Sequence, residues 1–152
     1  MVEQDTPRGP LSPDDLTADS PFTLPGFFTE LTDGRLLAAA CSECGTRLIP
    51  PRPACYACGS RAVELEAQPE TGEIVSYTEV HRPPSAFTDL APFPVAIVEL
   101  DSGARLTGRV DAGYDALAIG TAVRLSIREP DFDPEANLPY EESWPLHVFE
   151  LE

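Results

Sequence analysis

The sequence predicts a mainly β protein made of two parts, preceded by a tail. Three observations predict this fold class. All four cysteines fall within residues 41–60, a short aromatic segment with helical spacing precedes them, and five β-rich segments follow Gly72. At 152 residues the chain has room for one ordinary domain or for two very small ones. We therefore expect a tail over 1–20, a first part over 21–68 and a second part over 69–152.

The first twenty residues are rich in proline, aspartate, serine and threonine, and they contain few large apolar side chains. Such a segment cannot bury enough surface to offset the entropy that ordering costs, so we expect a disordered tail. It lacks the basic start and the apolar segment of a signal peptide. No apolar run in the chain approaches the roughly 18 residues of a membrane span. These features favour a cytoplasmic protein that has no membrane partner.

An aromatic segment before the cysteines is predicted to form the only clear α-helix. Pro25 can occupy the first turn of a helix, and one face would then carry Phe27, Phe28 and Leu31. The Asp-Gly pair at 33–34 would end the helix and turn the chain into a first strand, RLLAAA. Because so short a helix cannot form a core alone, it must cover either this chain's own sheet or another protein. We slightly favour packing within the chain.

The cysteines form two Cys-x-x-Cys pairs separated by ten residues. They are Cys41, Cys44, Cys55 and Cys58. A two-residue gap lets both thiolates of a pair point at one ion from a tight turn. A glycine follows each second cysteine, where such a turn benefits from a residue that can adopt positive φ. Two facing turns would supply four sulfurs at about 2.3 Å from the ion, which is the tetrahedral cage of a structural zinc site. The metal would then contribute folding energy, not catalysis.

Other uses of the cysteines are less well supported by the pattern. Two disulfides are possible, but nothing in the sequence suggests secretion. A redox dithiol needs only one pair, ideally at the start of a helix. A rubredoxin-like iron site uses the same Cys-x-x-Cys-Gly turns, so the spacing alone does not exclude iron. We favour zinc in a rubredoxin-like ribbon.

The second part reads as five strands with a possible helical turn, YDALAIG, between the third and the fourth. The segments are 72–82, 93–101, 104–111, 121–129 and 144–152. The second segment, FPVAIVELD, is almost continuously apolar, which is typical of a strand buried on both faces. Gly108 in the middle of the third segment suggests a bulge or a sharp bend. Five short strands with these connections predict an OB-fold barrel.

The charge balance excludes some partners. The chain has 26 acidic residues and 10 basic ones, and all the basic residues are arginine, which gives a net charge of −16. This charge would repel a nucleic-acid backbone, so an oligonucleotide-binding OB-fold module is the less favoured interpretation of the barrel. Acidic surfaces keep proteins soluble at high salt, where repulsion between charges is screened. We therefore expect a halophilic source.

The residues give little support to an enzyme. His81 and His147 lie at strand ends, and neither has a serine or a free cysteine nearby in a recognisable nucleophile motif. The chain contains no Gly-rich phosphate loop. If all four cysteines bind metal, no thiol nucleophile remains. We predict that the chain has no catalytic residues of its own.

The order of motifs carries a family resemblance over about residues 21–152. An aromatic helix precedes CSECG…IPPRPACYACGS, which is followed by TGEIVSYTEVHR, by APFPVAIVELDSGARLTGRV and by LAIGTAVRLSI. This order resembles the zinc-ribbon/OB-fold family called DUF35, whose members accompany thiolase-like enzymes. The Pro-Pro-Arg between the cysteine pairs and the Pro-Phe-Pro at 92–94 are its most specific parts. The acidic tail and the acidic loop at 130–143 depart from the family pattern.

The resemblance implies a non-catalytic accessory subunit in a hetero-oligomer. Similar proteins work beside thiolases, 3-hydroxy-3-methylglutaryl-CoA synthases or MaoC-like enoyl-CoA hydratases. The OB-fold part would help to hold the acyl-CoA, and the ribbon and helix would dock the partner enzyme. A thiolase-like or synthase-like partner is the first expectation for this chain, and a hydratase is the alternative.

An acyl-CoA ligand would need positive groups for its phosphates and apolar walls for its pantetheine arm. Because arginines are rare in this acidic chain, those in loops are the first candidates for phosphate contacts. We expect ligand contacts from Arg52 and Arg82, and apolar contacts from Phe87 and Phe93. For each arginine alone, a surface ion pair is at least as good an explanation.

Overall fold

A computed structural model of the chain describes residues 16–17, 19–128 and 145–152, without the side chains of Ser85 and Ala86. Nearly all of the expected tail and the whole of the acidic loop at 130–143 lie outside the described residues. Contacts divide the chain into two compact units. The ribbon unit comprises Met1–Pro69 with Ser102–Arg105, and the barrel unit comprises Glu70–Asp101 with Leu106–Glu152.

Helix α1 runs from Leu24 to Thr32, as the aromatic segment predicts. The hydroxyl oxygen of Thr23 caps its start by accepting a hydrogen bond from the Gly26 amide at 3.4 Å. Its apolar face is buried, since Phe27 is 2% exposed and Leu31 fully covered, so the helix covers its own chain. Among the described residues, no helix combines the length and the apolar composition needed to cross a membrane.

The ribbon unit contains a small antiparallel sheet. Its strands are β1 (Leu37–Cys41), β2 (Arg47–Leu48) and β3 (Val63–Ala67), in the order β2-β1-β3. Ala39 on the central strand pairs with Leu48 on one side and with Leu65 on the other. A small core of six buried residues joins this sheet to the cysteine turns: Phe22, Ala39, Cys41, Leu48, Cys55 and Val63. Two of the cysteines therefore belong to the core itself.

The barrel unit is a closed five-stranded barrel, which confirms the predicted OB-type architecture. Its strands are β4 (Thr71–Val80), β5 (Phe93–Leu100), β6 (Arg105–Val110), β7 (Ala122–Arg128) and β8 (Leu146–Leu151). They follow the order β4-β5-β6-β8-β7, in which β6 and β8 are parallel. A 3-10 helix at Tyr114–Ala116 confirms the helical turn expected before β7. A second 3-10 helix, at Ser85–Leu90, lies between β4 and β5.

Strand β5 corrects one prediction. Its apolar run suggested burial on both faces, but its residues alternate between buried and more exposed positions. Ala96 and Val98 are almost fully buried, whereas Ile97 between them is 38% exposed. A barrel strand has one face inside and one outside, so an apolar run in it need not be covered on both sides.

Gly108 in β6 lies against the side chains of a neighbouring strand. A Cβ atom at Gly108 would lie 2.9 Å from Cε2 of Phe149 and 3.2 Å from Cδ2 of His147, so the glycine makes room for side chains of β8. A register shift is recorded in β4, between Ile74 and Ser76. The bulge or bend at Gly108 stays a prediction. Gly108 therefore serves close packing inside the barrel.

The environment of His147 makes barrel stability depend on pH. Burial lowers the pKa of His147, and this outweighs the opposing effect of its contact with the Thr107 carbonyl, 2.8 Å from Nε2. Because the unfolded chain then binds the proton more readily, we expect barrel stability to fall as the pH drops below the ordinary histidine pKa of about 6.5. Urea unfolding between pH 7.5 and 5.5 should show this loss, and His147→Gln should reduce it.

His81 is the matched control for that measurement, since the chain has only two histidines. Its side chain is 67% exposed and lies 3.0 Å from a carboxylate oxygen of Glu79. His81→Gln removes the other imidazole from an exposed position, and its slope is compared with that of His147→Gln. If the two variants changed the slope equally, burial of His147 would not be its cause.

Candidate metal centre

The first cysteine turn follows strand β1. The Gly45 amide donates to the Cys41 carbonyl at 2.9 Å, and the Cys41 amide donates to the Thr46 carbonyl at 2.9 Å. These two bonds fold residues 41–46 into a tight loop that ends in a left-handed residue, since Gly45 has φ +80°. A residue with a side chain would be strained in this conformation, which explains why a glycine occupies the position. The loop brings Cys44 back beside Cys41.

The second turn repeats the first one. The Gly59 amide donates to the Cys55 carbonyl at 2.9 Å, and the Cys55 amide donates to the Ser60 carbonyl at 2.8 Å. Gly59 has φ +78°, close to the value at the glycine of the first turn. The same sequence pattern therefore produces the same backbone hydrogen bonds twice, and each turn presents two sulfurs.

The four sulfurs meet at one point. All four Sγ atoms lie within 4.8 Å of one another. The two contacts of 3.6 Å join Cys41 to Cys58 and Cys44 to Cys55, so each links the two turns. In a tetrahedron with metal–sulfur distances of about 2.3 Å, the sulfurs lie about 3.8 Å apart. The spacing thus fits a four-sulfur metal centre, and all four residues are free cysteines and not disulfides.

Electrostatics within the cluster favour a bound cation. Hydrogen bonding by the Thr46 side chain, whose oxygen lies 3.1 Å from Sγ of Cys44, lowers the pKa of Cys44 to about 6. At Cys58, a backbone hydrogen bond from Ser60 lowers the pKa, but loss of solvent and the three neighbouring sulfurs together raise it to about 12. Four thiolates at such distances repel one another, and a divalent cation removes that repulsion.

The burial of the cysteines indicates that the metal centre is structural. Cys41 and Cys55 are 3% and 2% exposed within the ribbon core, whereas Cys44 and Cys58 lie at the surface. One cysteine of each turn is thus fixed by apolar packing. Four protein ligands fill a tetrahedral site and leave no open position for water or substrate.

The predicted ligand contacts fall in both units. The Arg52 guanidinium, in the ribbon unit, lies over the ring of Tyr56 at 5.8 Å. Arg82, Phe87 and Phe93 belong to the barrel unit, where the two phenylalanine rings lie 6.5 Å apart edge to face. Arg82 is exposed just after β4.

Sequence reasoning missed a cleft of about 440 Å³ in the ribbon unit. Besides Arg52, its walls include Arg47, Tyr56 and Arg105. These residues are separated by up to 58 positions (105 minus 47), and no local spacing connects them. The scarcity of arginine was the one available signal, and it identified only Arg52.

Two family models match adjacent parts of the chain. Residues 28–64 match the rubredoxin-like zinc ribbon domain of ChsH2. Residues 65–128 match the C-terminal OB-fold domain of ChsH2. These matches meet close to the boundary of the two structural units, between Pro69 and Glu70. They support zinc as the metal of the four-cysteine centre.

Curated relatives match over most of this chain. Two are named DUF35 domain-containing scaffold protein. The one from Methanothermobacter thermautotrophicus is 38% identical over 97 residues, which are 62% of this chain and 72% of that protein. The one from Pyrococcus furiosus is 32% identical over 108 residues, 70% of this chain and 79% of that protein. A "Probable enoyl-CoA hydratase alpha subunit" of Thermomonospora curvata is 37% identical over 114 residues, 74% of this chain. The match spans only 35% of that subunit.

Solved structures show the same fold. A chain of the complex described as "Ltp2-ChsH2(DUF35) aldolase" superposes with a TM-score of 0.63 at 32% identity, covering 83% of this chain and 91% of that one. A DUF35-family protein of unknown function from Sulfolobus solfataricus superposes with a TM-score of 0.54 at 17% identity. It covers 84% of this chain and 83% of that one, and at this identity it shows the fold alone.

Proposed function

This chain belongs to the DUF35 family of scaffold proteins, and we propose that it is a non-catalytic subunit of an acyl-CoA enzyme. In this proposal it binds a thiolase-like or aldolase-type enzyme in a hetero-oligomer and contributes to acyl-CoA binding. The observation that carries the proposal is the closed four-sulfur centre built into the ribbon core. Such a centre fixes a surface and offers no position for chemistry.

The histidines support a role without catalysis. His81 lies beside the Glu79 carboxylate, and His147 contacts the Thr107 carbonyl. In the part of the chain that the structure describes, these are the contacts recorded for the two imidazoles, and neither includes a serine or a cysteine. A nucleophile–base pair would require such a contact. The scaffold names of the relatives agree with this interpretation.

The names of other relatives support an acyl-CoA enzyme as partner. One solved complex pairs Ltp2 with ChsH2 as an aldolase, and one curated relative is an enoyl-CoA hydratase alpha subunit. A hydratase partner is therefore the second candidate, favoured by the match to part of that longer subunit. The proposed compartment is the cytoplasm, where acyl-CoA enzymes would meet the chain. The net charge of −16 supports a salt-rich interior.

Acyl-CoA contacts are proposed on the barrel unit. Phe87 and Phe93 are both partly buried, and their rings form an apolar edge that could line the path of a pantetheine arm. The 3-10 helix at Ser85–Leu90 holds Phe87 in place, and Arg82 lies just before it on an exposed turn. A guanidinium there could contact a phosphate group.

Capture of the partner from native cells tests the proposal. The tagged full chain should co-purify with a thiolase-like enzyme, an aldolase or a hydratase, identified by mass spectrometry. Leu24, at the start of α1, is 50% exposed, so Leu24→Asp should reduce capture at least tenfold if the helix docks the enzyme. Capture would be measured at matched zinc content to exclude loss of the fold.

Ile119→Asp is the matched control, because Ile119 is 66% exposed and belongs to the barrel unit. It should reduce capture less than twofold. Loss of capture with Ile119→Asp but not with Leu24→Asp would contradict docking through the helix. Recovery of no acyl-CoA enzyme with the wild-type chain would contradict the scaffold function itself.

A further inference from the structure

The arginine-lined cleft in the ribbon unit is a candidate ligand site separate from the acyl-CoA contacts proposed on the barrel unit. All of its lining residues belong to the ribbon unit, because the segment Ser102–Arg105 is part of that unit. Its volume of about 440 Å³ falls in the range of small-molecule sites. It is therefore large enough to hold a ligand of nucleotide size.

The charge of the cleft is unusual for this chain. Three of the ten arginines line it, Arg47, Arg52 and Arg105, and the described lining residues include no aspartate or glutamate. In a chain with a net charge of −16, a concentration of cations around one cavity contrasts with the rest of the protein. Guanidinium groups that line one cavity attract a bound anion.

One wall of the cleft is held rigidly. Arg47 donates from Nη1 to the Ser102 carbonyl at 3.1 Å, and its Nε donates to Glu66. The Ser102 hydroxyl in turn contacts Oε1 of Gln68 at 2.5 Å. Part of the charge of Arg47 is thus balanced by Glu66, and its main effect is to fix the 102–105 turn that carries Arg105. Preorganisation of this kind lowers the cost of ordering a site when a ligand binds.

The other wall combines a cation with an exposed aromatic ring. The guanidinium carbon of Arg52 lies 5.8 Å from the centre of the Tyr56 ring, and Tyr56 is 70% exposed. Much of the tyrosine ring is therefore accessible to a ligand, and an aromatic ring is a stacking surface for a nucleobase. Arg52 beside it can form bidentate hydrogen bonds with a phosphate group.

We propose that this cleft binds a nucleotide, with its phosphates on Arg52 and Arg105 and its base on Tyr56. The proposal goes beyond the scaffold function and does not depend on it, since the site lies within the ribbon unit. An acidic peptide could also meet the arginines, but it would leave the tyrosine face unused. Free nucleotides and the nucleotide end of coenzyme A both carry the phosphates and the base that this site would bind.

Calorimetric titration of the full zinc-loaded chain tests the site. The probes are ADP, inorganic pyrophosphate and adenosine, each at low salt. We expect ADP to bind most tightly, pyrophosphate to bind more weakly and adenosine not to bind detectably. Arg52→Gln should weaken ADP binding about tenfold, which corresponds to the loss of one charged contact. Tyr56→Ser should weaken ADP about fivefold and leave pyrophosphate within twofold.

Arg124→Gln is the matched control for charge, because Arg124 is 59% exposed in the barrel unit and lies 3.6 Å from Glu152. It should change ADP binding less than twofold. An equal effect of Arg124→Gln and Arg52→Gln would overturn the site in favour of a general charge effect. Absence of ADP binding at millimolar concentration would also overturn it.

Two further probes distinguish the ligand sources. Tighter binding of coenzyme A than of ADP would assign the site to acyl-CoA ligands, and equal binding would assign it to free nucleotides. Both results support the proposal. Binding of tetraglutamate as tightly as ADP would overturn it, because the cleft would then select carboxylates. Partner capture by the wild-type chain, measured without added nucleotide, separates this test from that of the scaffold function, because either result can be obtained without the other.

Discussion

Replacement of Cys41 by serine is expected to release the metal and unfold the ribbon unit. Structural zinc contributes about 10–16 kcal/mol of apparent binding energy in zinc-finger peptides, which is as large as the whole stability of a typical domain. Among the described residues, the cluster around the centre contains six buried residues, and two of them are cysteines of the centre. Without the metal, a cluster this small cannot hold the two turns together.

Hydrogen exchange and elemental analysis measure this outcome. Wild-type protein should contain one zinc per chain, and β1 and β3 should be protected. In Cys41→Ser, or in wild type after chelation, both strands should exchange at the rate of an unfolded chain, while β7 and β8 in the barrel unit stay protected. Visible absorbance of the purified protein would identify iron and contradict zinc.

Ser42→Ala is the matched control for the change at the neighbouring residue. The Ser42 hydroxyl donates to the Ala62 carbonyl at 2.9 Å and lies at the surface. Loss of this hydrogen bond should lower the free energy of unfolding by about 1 kcal/mol and leave the zinc content unchanged. If Cys41→Ser kept the protection of the wild type, the ribbon would fold through its apolar core alone and the structural role of the metal would be wrong.

Gly72→Ala should strongly destabilise the barrel. Gly72 in β4 is paired with Leu100 of β5 on one side and with Val123 of β7 on the other. A Cβ atom at this position would lie 2.3 Å from the Glu99 carbonyl oxygen and 2.8 Å from Cα of Leu100. Both are backbone atoms of a paired strand, so relief requires the strands to separate. We expect the free energy of unfolding to fall by about 3 kcal/mol, which is at the upper end of the cost of overpacking.

Urea unfolding in excess zinc measures this loss, with Gly113→Ala as the matched control. A Cβ atom at Gly113 would meet no heavy atom within 4 Å beyond its chain neighbours, and φ is −71°, which any residue can adopt. The control should be neutral or up to about 1 kcal/mol more stable, because alanine restricts the unfolded chain. Equal stability of Gly72→Ala and wild type would show that the strands can separate at this point at little cost.

Local patterns explain why much of the fold could be predicted. Pro25 and the aromatic spacing identified α1, and the segment 121–129 predicted the strand β7, in which Val123 and Leu125 are buried. These features depend on neighbours within a few positions, where backbone geometry fixes which side chains share a face. The burial of the two faces of β5 could not be predicted from neighbouring residues. Whether the outer face of an apolar strand is covered depends on distant parts of the chain, and Ile97 is left at the surface.

The metal centre could be predicted from local sequence, because a Cys-x-x-Cys-Gly turn contains its own hydrogen bonds and its own left-handed glycine. Only the way in which the two turns meet needed the fold, and the ten-residue gap leaves little choice. The arginine cleft, in contrast, exists only in the folded chain, where Arg47 and Arg52 meet Arg105 from the far end of a hairpin. No short-range rule links residues so far apart, since their proximity follows from closure of the whole ribbon unit.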